Sequence, residues 1–263
     1  MMIQNKTIIK TPQLDIIGVK KQLIMNIFKF YLFIFFFSSI TQGQTKSIIT
    51  YDVFSTFMNI EKAVKDKIKD KKILSQLNKT FNSDDRLACI LIIDKGKSFF
   101  FKLDKMRVDK KSIVDVLIGD GLFYSNIKDS YLIEEKVTFD KKFLIKHEKI
   151  NWILINEEKK IGDYLCKKAT AKKTVVNSAG EFTTDLIAWY APSIPLNFGP
   201  KNFNGLPGLI LELTDRQMVY KVSKLELNSI SKKYKVKIPK KGKLLTYEEY
   251  EKELKNLFNK YRN

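Results

Sequence analysis

The sequence contains a single histidine, His147, and only two cysteines, Cys89 and Cys166, among its 263 residues. Zinc and copper sites are usually built from clusters of histidine and cysteine, which this composition cannot supply. A serine hydrolase triad also needs a histidine, and the chain has no Gly-x-Ser-x-Gly element. We interpret His147, between Lys146 and Glu148, as a surface residue of a strand. The sequence therefore predicts no metal site.

Other catalytic signatures are also missing. The eleven glycines include no glycine-rich loop that could cradle a phosphate. Paired carboxylates occur at Asp84-Asp85, Glu134-Glu135 and Glu157-Glu158. Neighbouring residues of a strand point to opposite faces, so none of these pairs is by itself a catalytic dyad. We predict that the protein is not an enzyme, with no catalytic residues and no cofactor.

Arginine is scarce: it occurs four times, and lysine supplies nearly all of a net charge of +19. A strongly basic protein can bind nucleic acid, an anionic membrane surface or an acidic polysaccharide, because each presents dense negative charge. Lysine is a poorer bidentate ligand for phosphate than arginine. Its abundance, together with that of Ile, Asn and Phe, also follows from an AT-rich genome. We therefore do not expect nucleic acid as the partner.

One dense apolar run, Phe30–Phe37, follows three lysines and is closed by polar residues. That layout is typical of a secretory signal peptide, and the run is far shorter than the roughly 20 residues of a membrane-spanning helix. We predict cleavage between Gly43 and Gln44, and an exported chain, in the periplasm or outside the cell, with no membrane span. The predicted parts are a gene-start extension at 1–24, a signal peptide at 25–43 and a single domain at 44–263.

The two cysteines fall in segments of strand-like composition, Leu87–Leu91 and Tyr164–Lys168. In an exported protein they could form one disulfide, which would join two strands far apart in the sequence. They could equally be separate buried thiols. The sequence leaves both alternatives open, a Cys89–Cys166 bridge and two free thiols.

Segments rich in β-branched and aromatic residues recur with short polar breaks, which is the spacing of an antiparallel sheet. In residues 218–227 the alternation of apolar and polar residues changes phase near Ser223, which predicts a bulge in that strand. Residues 61–77 could form a helix or a solvated excursion between strands. The predicted strands are 47–57, 86–93, 98–103, 131–139, 151–155, 163–176, 182–190, 209–213, 218–227 and 234–238.

The C-terminus carries the clearest helical signal. Thr246 and Glu249 have the spacing of a capping box, in which each side chain binds the other residue's backbone amide. Apolar residues then recur at three- and four-residue steps and form one stripe: Tyr247, Tyr250, Leu254, Leu257 and Tyr261. The sequence thus predicts a mainly β fold of the α+β class, a curved antiparallel sheet with a C-terminal helix packed on it. Its shape would be similar to that of periplasmic lipoprotein carriers.

The segment from Gly199 to Leu213 reads Gly-Pro-Lys-Asn-Phe-Asn-Gly-Leu-Pro-Gly-Leu-Ile-Leu-Glu-Leu. Pro207 suits the second position of a turn, and Gly208 can supply the positive φ that a type II turn requires next. We therefore predict a type II turn that leads into a strand from Leu209. An architectural role is the simplest interpretation of this segment.

Between Trp152 and Glu212 the sequence resembles the GLPGLI family, exported proteins of Bacteroidetes with no known molecular function. The resemblance includes the segment Tyr164–Thr170 and Ala188-Trp189-Tyr190, and Gly180-Glu181 stands where the family often has a Gly-Arg pair. The family motif itself is Gly205, Leu206, Pro207, Gly208, Leu209 and Ile210.

We expect an exported, non-enzymatic binding protein of the cell envelope that holds an apolar ligand. Trp189, Tyr190, Phe203 and Leu206 would line a hollow on the sheet, although core or rim positions are the simpler interpretation of these aromatics. One alternative is a module that binds an envelope protein, associated with outer-membrane transport machinery, as the family's setting suggests. Another is an uncharacterised hydrolase whose carboxylates come from distant strands.

Overall fold

A computed structural model describes residues 46–56, 86–103, 113–129, 131–177 and 180–262. The predicted extension, signal peptide and segment 61–77 lie outside these residues. The described chain after Gly43 forms one compact unit. Among its helices, none is both long and apolar enough to cross a membrane.

Twelve strands and two helices make up the regular structure of the described residues. The strands are β1 (Ser47–Ser55), β2 (Leu87–Asp94), β3 (Lys97–Lys102), β4 (Leu122–Asn126), β5 (Tyr131–Thr138), β6 (Lys141–Glu148), β7 (Ile153–Ile161), β8 (Tyr164–Asn177), β9 (Gly180–Ala191), β10 (Leu209–Asp215), β11 (Met218–Glu226) and β12 (Lys243–Leu245). The helices are α1 (Ile113–Ile118) and α2 (Tyr247–Arg262).

All twelve strands belong to one sheet, in the order β12-β6-β5-β4-β3-β2-β1-β11-β10-β9-β8-β7. Neighbouring strands are antiparallel, except that β12 runs parallel to β6. The mainly β fold with a C-terminal helix is therefore confirmed, as a mixed sheet with one parallel pair. The strand predicted at 234–238 is wrong, because Tyr234 and Val236 pack as irregular chain on the sheet.

One face of the sheet, here called the inner face, carries the largest apolar core. Alternate residues of the central strands point to it, including Tyr51, Leu91 and Phe100, each at most 2% exposed. Helix α1 and the segment 192–208 pack on the same core. Burial of each such side chain stabilises the fold by about 1.5–3 kcal/mol relative to exposure. A smaller cluster of apolar side chains covers the opposite, outer face.

Two local predictions are confirmed. Thr50 pairs with Lys224 and Tyr51 with Val222, so Ser223 is the extra residue of a bulge. At the start of α2 the Glu249 amide donates to Thr246 Oγ1 at 3.2 Å, and the Thr246 amide donates to Glu249 Oε2 at 2.8 Å. The helix then buries Tyr250 and Leu257 against β6 and β12.

The type II turn predicted at Pro207-Gly208 is wrong. The Gly208 amide donates to the Leu206 carbonyl at 2.8 Å, which closes a three-residue turn around Pro207, and the Leu209 amide donates instead to Ile194. Gly208 is needed for a different reason. A Cβ at this position would lie 2.3 Å from the carbonyl oxygen of Ala191, so the two backbones can approach only without a side chain.

Cys89 and Cys166 are separate, buried thiols in the structure. Cys89 lies on β2 and Cys166 on β8, and four strands stand between them in the sheet. A disulfide needs Cα atoms within about 7 Å of each other. Of the two alternatives left open by the sequence, the structure has free thiols. Burial raises the pKa of Cys89 to about 12 and that of Cys166 to about 11, so both remain protonated at neutral pH.

The two motif glycines provide a matched test of this packing. Gly208→Ala should lower the free energy of unfolding by more than about 3 kcal/mol, because backbone atoms of Ala191 must move. Gly205 has a φ of +100° and open space around its Cα, so Gly205→Ala should cost only about 1–3 kcal/mol of backbone strain. Urea unfolding of both variants measures the difference. Equal losses would contradict the close approach as the reason for Gly208.

Candidate functional site

The predicted ligand-binding aromatics do not form one surface. Tyr190, Phe203 and Leu206 come together inside the inner-face core, with exposed fractions of 3%, 0% and 1%. Trp189 is the next residue to Tyr190 on β9 and points to the outer face, where the Lys159 ammonium lies 4.4 Å from its ring centroid. Packing therefore leaves almost no apolar surface of Tyr190, Phe203 and Leu206 available to a ligand.

The segment that contains the motif instead places a lysine on the inner face. The Phe203 amide donates to the Pro200 carbonyl at 3.1 Å, which closes a tight turn with Lys201 at its first central position. Lys201 adopts a φ of +50°, a left-handed conformation that costs a residue with a side chain about 1–3 kcal/mol. Such strain persists only where the surroundings fix the backbone.

Asn204 holds the backbone of this turn in place through hydrogen bonds. Its side-chain oxygen accepts from the Gly199 amide at 2.9 Å, and its side-chain nitrogen donates to Ser125 Oγ at 3.0 Å. Its backbone carbonyl accepts from the Trp152 indole at 2.9 Å. These three hydrogen bonds tie the Lys201 turn to β4 and to the start of β7.

The half-buried Lys201 side chain ends between two rings. Its Nζ lies 5.8 Å from the centroid of Phe123 and 5.7 Å from that of Tyr220. Within the described chain, no hydrogen bond or ion pair reaches this ammonium. Burial lowers the pKa of Lys201, while the more distant charges of Glu134 and Asp215 act to raise it. Lys201 is therefore a desolvated cation without an immediate counter-charge.

A carboxylate–imidazole pair lies on the same face. Glu134 Oε2 and His147 Nε2 are 2.7 Å apart, and the two side chains are 13% and 15% exposed. The expectation of a surface histidine is therefore wrong, because His147 points inward beside Phe123. Gly121 leaves room for this pair, since a Cβ there would lie 2.5 Å from Glu134 Oε1.

The ionised form of Glu134 is favoured despite its burial. Burial alone raises the pKa of this carboxyl, but the hydrogen bond with His147 and nearby positive charges outweigh it, and the net shift is downward. Its chain neighbour Glu135 points to the outer face and pairs with Lys142 at 2.6 Å. Glu134 and Glu135 therefore point to opposite faces of the sheet, as expected for neighbouring residues of a strand.

A second ion pair approaches from the other half of the sheet. Lys173 Nζ on β8 is 3.7 Å from Asp215 Oδ2 on β10, with side chains 26% and 18% exposed. Burial lowers the pKa of Lys173, the Asp215 charge opposes that shift, and the positive charge of Lys201 adds to it. The two lysines are therefore close enough to repel each other.

Together Glu134, His147, Lys173, Lys201 and Asp215 form what we call the charged recess. Three strands separate β4 from β11 in the sheet, yet Lys201 Nζ lies within 5.8 Å of the ring centroids of both Phe123 on β4 and Tyr220 on β11. The sheet therefore curves around this side chain. Each carboxylate has a partner within the recess, whereas Lys201 has no partner within ion-pair distance among the described residues.

The recess does not offer a metal site. No three His, Cys, Asp or Glu side chains come together as possible metal ligands in the part of the chain that the structure describes. Sequence reasoning missed the recess because its members come from five distant segments. One signal was present: Glu134 occupies an inward position directly opposite Ile145, where an apolar residue is expected.

Comparison with known proteins gives a family-model match to a short segment and a distant structural likeness. A family model described as a protein of unknown function (Porph_ging) matches residues 179–212, which include the hexapeptide 205–210. No curated protein matches the chain. Structures of PNGF-II in space groups P21 and C2 are similar at TM-scores of 0.46 and 0.43, both at 15% identity.

Those matches cover 79% and 77% of this chain, and 32% and 31% of the PNGF-II chains. The chain thus spans about a third of the length of the structures that it resembles.

Replacement of Lys201 should stabilise the protein. Lys201→Met keeps the length of the side chain and the backbone strain but removes the desolvated charge, so we expect unfolding to cost about 1–3 kcal/mol more at neutral pH. For a domain of this size that corresponds to a Tm higher by roughly 2–4 °C per kcal/mol. Lys233→Met, at an exposed lysine whose Nζ also lies near an aromatic ring, 5.0 Å from the centroid of Tyr234, is the control and should not raise Tm.

The difference in stability between the wild type and Lys201→Met should also depend on pH. The pKa of Lys201 is lowered in the folded protein, so above it the unfolded chain holds a proton that the folded chain has lost. Stability of the wild type must then rise with pH up to the unfolded value of about 10.4. The advantage of Lys201→Met should therefore shrink between pH 7 and pH 10 in thermal unfolding. An advantage that is constant across this range would contradict the burial of the charge.

Proposed function

We propose that this protein is an exported, non-enzymatic binding protein of the cell envelope, of the GLPGLI type, whose ligand carries an anionic group bound at Lys201. The observation that carries the proposal is the ammonium of Lys201, held between Phe123 and Tyr220 with no counter-charge within ion-pair distance among the described residues. A half-buried cation without a counter-charge lowers stability until an anion accompanies it.

Three features favour an anionic group over the purely apolar ligand expected from the sequence. The aromatic side chains that would have lined an apolar hollow are themselves the core. The accessible part of the inner face carries charges that are 13–26% exposed. The repulsion between Lys173 and Lys201 is relieved when negative charge lies nearby.

Binding is better supported than hydrolysis. A general acid needs a carboxyl group that stays protonated near neutral pH, whereas the pKa of Glu134 is lowered. Asp215 is engaged with Lys173. Asp215 is therefore the counter-charge of Lys173, Glu134 is the partner of His147, and neither lies within ion-pair distance of Lys201.

Export and the GLPGLI assignment rest on the sequence. The run Phe30–Phe37 with its preceding lysines has the pattern of a signal peptide. The hexapeptide lies within the segment that the family model of unknown function matches. Its packing against Ala191 positions the turn of Lys201, which connects the motif to the proposed site.

Two matched amphiphiles test the proposal. Dodecanoate and dodecanol share one apolar chain and differ in charge, and inorganic phosphate supplies charge without a chain. We expect dodecanoate or phosphate to bind in isothermal titration calorimetry, with affinity at least ten-fold weaker in Lys201→Met and unchanged in Lys233→Met. Binding should also weaken as pH rises, because Lys201 loses its charge as pH passes its lowered pKa.

Native mass spectrometry of protein expressed with its leader and purified from the exported fraction complements the titration. A retained ligand with an acidic group supports the proposal. Equal binding of dodecanol and dodecanoate, unaffected by Lys201→Met, would contradict the proposal and support the purely apolar ligand expected from the sequence. If the exported fraction carries no ligand and no anionic probe binds, the proposal fails.

A further inference from the structure

The turn that carries Lys201 also carries a buried amide. Asn202 follows Lys201 at the second central position of this turn, and only 4% of the residue is exposed. No hydrogen bond from any part of the described chain reaches its side chain. Most buried polar side-chain atoms in proteins have a hydrogen-bond partner, so a buried amide without one requires an explanation.

A second asparagine in the same segment shows the contrast. The side-chain oxygen of Asn204 accepts from the Gly199 amide, and its side-chain nitrogen donates to Ser125 Oγ. Asparagine is common in turns because its side chain makes local hydrogen bonds of this kind. The Asn202 side chain makes none, so it does not stabilise the turn by hydrogen bonding, and its burial costs free energy.

Asn202 lies at the charged recess. The ammonium of Lys201, the residue before it, has aromatic rings but no carboxylate beside it. The ring centroid of Phe203, the residue after it, lies 5.1 Å from Lys173 Nζ. Lys201 and Asn202 are thus consecutive desolvated residues whose polar ends have no partner within the described residues. Convergent polar groups of this kind are typical of a ligand-binding site.

The two side chains define what a ligand must offer. An ammonium only donates, so Lys201 requires an acceptor, and a negatively charged acceptor binds best. A side-chain amide requires an acceptor for its NH2 group and a donor for its oxygen. A plain carboxylate has acceptors but no donor, and it would leave the Asn202 oxygen unpaired. A carboxylate with an N–H group beside it matches both residues.

We infer that the charged recess binds an N-acylamino acid unit, a carboxylate with an amide N–H one carbon away, through Lys201 and Asn202. Lys201 binds the carboxylate, and the Asn202 oxygen accepts from the N–H of the ligand. The Asn202 NH2 group donates to an oxygen of the same unit. The inference rests on the proposed function and specifies the ligand more closely. Such units occur at the carboxyl terminus of peptides and in lipids that have an acylated amino acid as head group.

A matched pair of ligands tests this inference on the wild-type protein. N-benzoylglycine and O-benzoylglycolate share the ring, the spacing and the carboxylate, and the N–H of the first is an ester oxygen in the second. Isothermal titration calorimetry should show at least ten-fold tighter binding of N-benzoylglycine, because the ester offers no donor to the Asn202 oxygen. Equal affinities that both fall in Lys201→Met would overturn the inference and leave the proposed function standing. If neither compound binds, both fail.

Asn202→Leu tests the residue itself, since leucine has a similar volume and no polar atoms. This variant should lose the preference for N-benzoylglycine without a lower Tm, because the replaced amide makes no hydrogen bond within the described chain. Asn197→Leu, at an exposed asparagine of the same segment, is the control and should keep the preference. A lower Tm of Asn202→Leu together with an unchanged preference would make Asn202 a structural residue and overturn the inference.

Two longer ligands distinguish the sources of the unit. The N-acetylated tripeptide of glycine presents a peptide carboxyl terminus, and N-dodecanoylglycine presents the same unit on a lipid chain. Tighter binding of the tripeptide supports a peptide ligand, and tighter binding of N-dodecanoylglycine supports a lipid.

Discussion

The rest of the structure depends on the packing of residues 192–208 against the inner face of the sheet. Ile194, Phe198, Phe203 and Leu206 are at most 4% exposed and fill the concave side of strands that would otherwise present an apolar surface to water. The close approach of Gly208 to the backbone of Ala191 fixes this packing. Because the same segment contains Lys201, the residues that complete the core also place the cation of the recess. One segment of the chain therefore both completes the core and positions the ammonium of Lys201.

The electrostatics of the recess follow from that placement. Curvature of the sheet brings the Glu134–His147 pair and the Lys173–Asp215 pair from its two halves onto one interior region. The ammonium of Lys201 then enters from the connecting segment, with aromatic rings instead of a carboxylate beside it. Cation–π contacts recover only part of the lost hydration of an ammonium. A protein under selection for stability alone gains by an apolar residue here, so the retained charge fits the trade between stability and binding seen at functional sites.

Local rules predicted the local features of this chain well. The period of the apolar residues located most strands, the slip of phase located the bulge at Ser223, and the capping box located the start of α2. Predictions failed where a distant segment decides the conformation. Gly208 is required by Ala191, 17 residues earlier in the chain, and His147 points inward to Glu134 on the neighbouring strand. The recess itself was beyond sequence reasoning, because no local pattern reports which strands a curved sheet brings face to face.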